Sequence, residues 1–172
     1  NKFELRKNAK TIRKALNIDE ISDKIASKIE KLQEFQNSRH VLLFYPKQDE
    51  INLLSLCEKY CSQKQFYLPK VQGENLVICP FECGMPLEIS GYNIVEPCSM
   101  PVSPQIVDFA IIPCLCADKR GFRIGYGGGF YDRFLLKLSK NCIKISPVPE
   151  KLLFDEIPTD IYDLPVDYVV TE

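Results

Sequence analysis

The 172-residue sequence lacks an excess of charge of either sign and has a single histidine. Lys and Arg number 22 against 23 Asp and Glu, so the formal net charge is −1. No global field therefore attracts nucleic acid or an anionic membrane, and any anion site must be built locally. No apolar run approaches the roughly 20 residues that a membrane span needs, and the N-terminus is charged and periodic, unlike a signal peptide. These absences predict a cytoplasmic protein without a membrane or nucleic-acid partner.

The sequence also lacks a C-x-x-C pair, although it contains eight cysteines. A chain of this length with 45% apolar residues does not need disulfides to fold. We therefore predict reduced, mostly buried thiols, which behave as small hydrophobic side chains. The alternative is a zinc site built from Cys57, Cys61, Cys79 and Cys83.

Length and composition are those of one globular domain. A chain of 172 residues buries about 70% of its unfolded surface. Its 26% of charged residues is close to the average for folded proteins, which excludes a disordered chain. No internal repeat, low-complexity tract or linker interrupts it. We predict a single domain over residues 1–172, acting as a monomer; the opening Asn1 leaves the native start open.

Apolar residues at spacings of three and four predict helices at 2–16, 19–35 and 51–61. The first helix also carries a basic stripe along the edge of its buried face. The stripe consists of Lys2, Arg6, Lys10 and Arg13. It is either a solvated flank or a row of cations presented to phosphates at the edge of a groove.

Short apolar runs between these helices predict strands. They lie at 40–45, 66–69, 75–79, 107–112, 142–146 and 166–170. Strands that alternate with helices indicate a mostly parallel sheet with helices on both faces. Ligands bind such open sheets at the carboxyl ends of the strands. We therefore expect residues 45–50 and the chain after Pro113 to form the working edge.

Four of the eight glycines lie between Gly125 and Gly129, after a buried strand and a polar loop and before a helix. Glycines let a ligand approach the backbone, and the start of a helix offers free N–H groups to anions. The pattern is neither G-x-G-x-x-G, because Phe130 occupies the last position, nor a Walker loop. Arg123 supplies donors suited to phosphate, and Asp132 suits a magnesium ion between it and phosphates. The alternative is a tight turn with a crowded helix–strand contact.

The run RIGYGGGFYD from Arg123 to Asp132 resembles the signature of the 5-formyltetrahydrofolate cyclo-ligases, also called methenyltetrahydrofolate synthetases. Three segments resemble the same family in the same order: KFELR at 2–6, YPKQDE at 45–50 and IPTDIYDLPVD at 157–167. The resemblance implies a three-layer α/β/α sandwich of the type shared with sugar-phosphate isomerases and coenzyme A transferases. It also implies conversion of 5-formyltetrahydrofolate and ATP to 5,10-methenyltetrahydrofolate, ADP and phosphate, with Mg2+, and a substrate with or without a polyglutamate tail.

The resemblance also implies residue roles by position. ATP would contact Lys2, Phe3, Glu4, Leu5, Arg6, Arg123, Gly125, Gly127, Gly128, Gly129 and Tyr131. Folate would contact Tyr45, Glu50, Tyr126, Gly127, Gly128, Gly129 and Phe130. Asp132 and Asp163 would hold magnesium, and the catalytic residues would be Arg123, Tyr126 and Asp132. The chain departs from the family at Tyr162, where relatives commonly have histidine, and in residues 144–158, where the usual apolar strand pattern is interrupted.

The implied chemistry needs positioning and charge stabilisation rather than a nucleophilic side chain. Two other functions stay open. A hydrolase would use His40, the only histidine, with Cys114 or Cys116. A non-catalytic module for nucleotide or RNA would use the basic stripe and stack bases on the aromatic residues of the glycine segment.

Overall fold

The computed structural model describes residues 1–91 and 93–172. Its helices are α1 Lys2–Lys14, α2 Ile18–Glu30, α3 Gln33–Gln36, α4 Leu54–Tyr60 and α5 Phe130–Leu135. Its strands are β1 His40–Leu42, β2 Gln65–Gln72, β3 Asn75–Phe81, β4 Leu87–Ile89, β5 Val95–Pro97, β6 Phe109–Ile111, β7 Cys116–Asp118, β8 Arg123–Ile124, β9 Ile143–Pro147, β10 Leu153–Phe154 and β11 Tyr168–Val170. Short 3-10 helices span Pro104–Ile106 and Glu150–Leu152.

The main sheet has the strand order β11-β9-β6-β1-β2-β3. Its pairs are parallel except for β2 and β3, which form an antiparallel hairpin at one edge. Two residues join this hairpin, and the first is Gly73 with a φ of +64°, a conformation that tight hairpin turns favour. The mostly parallel sheet predicted from the alternation of helices and strands is confirmed.

Successive residues of the central strands point to opposite faces of the sheet, as the pleat requires. Val41 and Leu43 join an apolar cluster with residues of α2 and α4, whereas Leu42 joins a second cluster with residues of α5. Residues 109–112 alternate in the same way. Strands covered on both faces read as continuous apolar runs. The predicted α/β/α sandwich is therefore confirmed.

Two local predictions were wrong. The helix predicted over 19–35 is divided, because Leu32 adopts an extended backbone and caps the separate turn α3. The polar loop predicted before the glycines contains the antiparallel pair β7–β8, to which β10 adds in parallel. Asp118 stabilises this small sheet: its carboxylate is fully buried and accepts hydrogen bonds from Arg120 and from the backbone N–H groups of Phe122 and Ile157. These contacts join segments that are distant in the sequence.

A buried arginine attaches α1 to the carboxyl edge of the main sheet. Arg13 is only 2% exposed, and its guanidinium donates to the carbonyls of Cys114 and Leu115, which follow β6. It also donates to the carbonyl of Asp49, after β1, at 2.9 Å. One side chain therefore holds together the three segments from which the sequence predicts a site. No helix in the described part of the chain is long and apolar enough to cross a membrane.

We expect Arg13→Met to lower the free energy of unfolding by about 3 kcal/mol, because buried carbonyls would lose their donors. Urea unfolding followed by circular dichroism measures this change. Lys7→Met is the matched control, since Lys7 is exposed on the same helix. Equal unfolding midpoints for the two variants would contradict the role of Arg13.

Candidate active site

A cavity of about 800 Å3 lies beside the segments that follow β1 and β6, at the edge where open sheets bind ligands. Most of the residues singled out in the sequence line it. They are Lys2, Arg6, Tyr45, Glu50, Arg123, Gly125, Tyr126, Gly127, Gly128, Gly129, Phe130, Tyr131, Asp132 and Asp163. The cavity has the size of a small-molecule site.

Helix α1 places only part of its predicted segment at this cavity. Lys2 and Arg6 lie one turn apart on the face that lines it. Phe3 is 73% exposed, Glu4 lies 3.6 Å from the N-terminal amine, and Leu5 packs against an apolar cluster. The helical period therefore turns Phe3, Glu4 and Leu5 away from this cavity, although the resemblance implied that they contact ATP.

The glycine loop connects β8 to α5 in a conformation that side chains would disfavour. Gly127 and Gly129 have φ values of +108° and +68°. The backbone N–H groups of Gly127 and Gly128 find no acceptor within the described residues. Helix α5 has 6 residues and ends at Leu135, so its dipole contributes less than that of a long helix would. The loop N–H groups themselves are the donors that an anion would meet.

Arg123 is buried without a full set of hydrogen bonds. Its side chain is 4% exposed, and its terminal nitrogens reach the Pro113 carbonyl and an Asp132 oxygen only at 3.5 Å. Its Nε has no partner within the described part of the protein. The guanidinium also lies 5.5 Å from the ring centre of Tyr131. A buried cation with unused donors is costly, and an anion in the cavity would satisfy it.

Two aspartates occupy the same part of the cavity. Burial raises the pKa of Asp132, Arg123 lowers it, and the negative charge of Asp163 raises it again. Lys2 Nζ contacts Asp163 at 2.5 Å and Asp160 at 3.1 Å. Mutual repulsion between the two site carboxylates is a condition that a divalent cation relieves. One or two carboxylates together with phosphate oxygens also suit Mg2+, so Asp132 and Asp163 fit this ion.

Glu50 and Tyr126 form a second polar pair at the cavity wall. Glu50 is 6% exposed and accepts a hydrogen bond from the Lys47 backbone at 2.8 Å. Burial raises the pKa of Glu50, and the Lys47 N–H and the charges of Lys47 and Arg13 partly offset this rise. Burial and the neighbouring Glu50 raise the pKa of Tyr126 well above its ordinary value. Glu50 is thus a buried acceptor for N–H donors of a ligand.

Other residues line the cavity that the sequence did not single out individually. Lys47 lies 4.4 Å from the ring centre of Tyr126, Asp160 shares Lys2 with Asp163, and Arg133 donates to the Gly128 carbonyl. All three lie within or beside the sequence motifs, and this position in the sequence was the indication that they belong to the site. No sequence motif marks the apolar wall of the cavity, which comes from the β2–β3 hairpin and from residues 94–95 at the start of β5. It consists of Pro69, Val71, Leu76, Ile94 and Val95.

The structure does not support a thiol nucleophile. His40 Nδ1 lies 2.8 Å from the Tyr67 hydroxyl, and His40 does not line the cavity. Burial raises the pKa of Cys114 to about 11 and that of Cys116 to about 12, so both are protonated at neutral pH.

The cysteines are all free, as predicted. Five are buried, namely Cys57, Cys79, Cys114, Cys116 and Cys142. Within residues 1–91 and 93–172, no three His, Cys, Asp or Glu side chains cluster as metal ligands. The zinc alternative on Cys57, Cys61, Cys79 and Cys83 therefore lacks a ligand cluster.

Residues 1–172 match the model of the 5-formyltetrahydrofolate cyclo-ligase family. A 5-formyltetrahydrofolate cyclo-ligase of Mus musculus is 27% identical over 167 residues, which cover 86% of this chain and 80% of the relative. The NMR structure of 5,10-methenyltetrahydrofolate synthetase from Aquifex aeolicus is similar with a TM-score of 0.87 and 32% identity over 98% of this chain and 88% of that one. A Mycoplasma pneumoniae synthetase at 22% identity has a TM-score of 0.81, over 99% of this chain and 98% of that one, and supports the fold.

We expect Glu50→Gln to raise the melting temperature by a few degrees at neutral pH. A carboxyl whose pKa is raised by folding stabilises the protein only while protonated, and this contribution is lost as the pH rises through the folded pKa. The gain should therefore shrink as the pH falls and Glu50 takes up a proton. Thermal unfolding at several pH values measures it, with exposed Glu58→Gln as control. A gain in melting temperature that becomes larger as the pH falls would contradict the raised pKa of Glu50.

Proposed function

The chain belongs to the 5-formyltetrahydrofolate cyclo-ligase family, and from this membership we propose that it uses ATP and Mg2+ to convert 5-formyltetrahydrofolate to 5,10-methenyltetrahydrofolate in the large cavity. The observation that carries the proposal is Arg123. Among the described residues, this buried guanidinium has an Nε without a partner, and it lines the same cavity as glycine N–H groups that lack acceptors. The combination suits the triphosphate of a nucleotide.

The ATP phosphates are assigned to the side of the cavity formed by α1 and the glycine loop. Lys2 and Arg6 line this side, and Arg6 Nε donates to the Gly125 carbonyl at 2.9 Å. Gly127 lies near the same guanidinium, and a Cβ there would come within 3.7 Å of Arg6 Cζ. Phosphate oxygens could therefore approach the loop backbone and two cations together.

The folate is assigned to the opposite side, next to Glu50 and Tyr45. Glu50 would orient the pterin by accepting hydrogen bonds from its N–H donors. The apolar wall formed by β2, β3 and β5 would cover the flat rings of the substrate. Tyr126 belongs to the glycine loop and its side chain is hydrogen-bonded to Glu50, which suits a residue that contacts the formyl group and the transferred phosphate.

Magnesium is assigned to Asp132 and Asp163. The ion would supply positive charge beside the phosphate oxygens. Lys2 now pairs with Asp163, and Arg123 with Asp132. Each candidate metal ligand is thus paired with a candidate phosphate ligand. We propose that binding of ATP with the ion exchanges these internal pairs for contacts to phosphate.

The proposed reaction activates a poor leaving group. The formyl group on N5 is amide-like, so its carbon is a weak electrophile and its oxygen leaves badly. Transfer of the γ-phosphoryl group of ATP to that oxygen forms an O–P bond and releases ADP. N10 then attacks the carbon and loses its proton, and phosphate departs with the oxygen. Arg123 and the loop N–H groups stabilise negative charge, while Glu50 holds the ring system in position.

Purified protein should form the methenyl product, detected by its absorbance, only when ATP and Mg2+ are both present. We expect Asp132→Asn to lower kcat by about 100-fold, because the site would lose a charge needed in the transition state. Asp155→Asn is the control, since Asp155 is 87% exposed and lies outside the cavity. An unchanged kcat in Asp132→Asn would remove this residue from the site.

We expect Arg123→Lys to raise the KM for ATP by about tenfold while changing the KM for 5-formyltetrahydrofolate less, because lysine lacks the planar fork of donors. Steady-state kinetics with each substrate varied in turn measures both constants, and a thermal melt checks the fold. Exposed Arg39→Lys is the control. A larger change for the folate than for ATP would contradict the assignment of Arg123 to phosphate.

A further inference from the structure

Arg133 lies in α5, directly after the candidate magnesium ligand Asp132, and has no part in the proposed reaction. Its side chain is exposed and lines the large cavity. Its guanidinium donates two hydrogen bonds to backbone carbonyls, from Nη1 to Gly128 at 3.2 Å and from Nη2 to Glu74 at 2.6 Å. Arg133 therefore connects the glycine loop to the tip of the β2–β3 hairpin.

The glycines of the loop leave the space that this contact needs. A Cβ on Gly129 would lie 2.9 Å from Arg133 Nη1, and a Cβ on Gly128 would lie 2.8 Å from the ring of Phe130. The guanidinium of Arg133 in turn lies 5.2 Å from the centre of the Phe130 ring. A side chain at either glycine would push one of these two neighbours aside. The two glycines therefore serve a contact within the protein as well as the approach of a ligand.

The hydrogen bond from Arg133 fixes the direction of the peptide group between Gly128 and Gly129. The carbonyl and the N–H of a trans peptide point to opposite sides, so the bond at the Gly128 carbonyl turns the Gly129 N–H away from the guanidinium. This N–H finds no backbone acceptor among the described residues. A peptide between two glycines rotates readily, because neither residue has a Cβ that restricts it. Without Arg133 the peptide would be free to reverse.

We propose that Arg133 is a positioning residue, which holds the glycine loop in the conformation whose N–H groups receive the ATP phosphates. The inference rests on the proposed function and adds to it a residue that acts through the loop. Successive backbone N–H groups attract an anion only while they point to the same side. Reversal of the Gly128–Gly129 peptide would place a carbonyl oxygen where the N–H had been, and this oxygen would repel phosphate.

The hairpin is a suitable support for this contact. Leu76 of β3 packs in the same apolar cluster as Phe134 and Leu135 of α5, so the hairpin and the helix are held together beneath Arg133. The hairpin also contributes Leu76 to the wall assigned to the folate. Arg133 therefore holds the phosphate loop in a defined position relative to the surface that would place the formyl group. Phosphoryl transfer depends on such positioning of its two reactants.

The first test observes the loop without a ligand. Labelling with 15N-glycine restricts the backbone NMR signals to the eight glycines, and relaxation dispersion detects exchange between conformations on the microsecond-to-millisecond timescale. We expect Arg133→Met to introduce exchange or a second set of signals at Gly128 and Gly129, because methionine offers no donor to the loop. Arg39→Met is the control, since Arg39 is exposed and lies outside the cavity. Signals of Gly128 and Gly129 that stay as in the wild type would overturn the proposal.

The second test separates the fork of donors from the positive charge. Lysine keeps the charge of Arg133 but lacks the two separate nitrogens that reach the two carbonyls. We expect both Arg133→Met and Arg133→Lys to raise the Kd for ATP with Mg2+ about tenfold, the effect of losing a hydrogen bond from a charged group. The Kd for 5-formyltetrahydrofolate should change less. Isothermal titration calorimetry measures both constants, and thermal melts check that the variants are folded.

A Kd for ATP in Arg133→Lys equal to that of the wild type would show that charge alone is needed at this position and would overturn the positioning role. A larger loss for the folate than for ATP would overturn it as well. The NMR measurement needs neither ATP nor turnover. Wild-type protein that does not form the methenyl product, while its variants show the expected exchange at Gly128 and Gly129, would contradict the proposed function but not the contact of Arg133 with the loop.

Discussion

The buried guanidinium of Arg13 makes the contacts that fix α1 at the carboxyl edge of the main sheet, where the candidate active site lies. Parallel strands that end at one edge of a sheet leave connecting segments whose carbonyls need donors, and Arg13 supplies donors to the segments after β1 and β6. Since Arg13 belongs to α1, the same contact places Lys2 and Arg6 opposite the glycine loop. The buried positive charge of Arg13 is stable here because all three guanidinium nitrogens donate to backbone carbonyls.

The cavity beside the glycine loop contains charged groups that are paired by sign but that, within the described residues, do not all have hydrogen-bond partners. Lys2 pairs with Asp163 and Arg123 pairs with Asp132, yet Arg123 Nε has no partner among residues 1–91 and 93–172, and burial raises the pKa of both Asp132 and Glu50. The unpaired Nε and the two buried carboxyl groups each reduce the stability of the ligand-free fold. Each is also relieved by a ligand of the proposed kind, namely an anionic phosphate chain, a divalent cation or a pterin with N–H donors. Binding sites commonly keep such locally unfavourable groups because the rest of the fold supports them.

Much of the fold could be predicted from short-range patterns. The apolar runs 40–45 and 107–112 indicated strands covered on both faces, and the spacings in α1 and α2 indicated helices with one buried side. The errors occurred where long-range contacts outweighed local preference. At Leu32 the backbone leaves the helix although the side chain still packs against the cluster that α2 contacts. Strands β7, β8 and β10 form a sheet whose strands are short and whose buried Asp118 accepts a hydrogen bond from the distant N–H of Ile157.

The chain by itself determined the alternation of buried residues, the glycine-rich turn and the motifs that carry the family resemblance, because these depend on neighbours within a few positions. Only the tertiary structure decided that Phe3, Glu4 and Leu5 face away from the cavity and that Lys2 and Arg6 line it. It also decided that Arg123 is buried with an Nε that has no partner in the described part of the chain. Those outcomes depend on contacts between residues far apart in sequence, such as Arg13 with Leu115. The burial and the electrostatic environment of a side chain depend on such long-range contacts, and a local sequence pattern does not encode them.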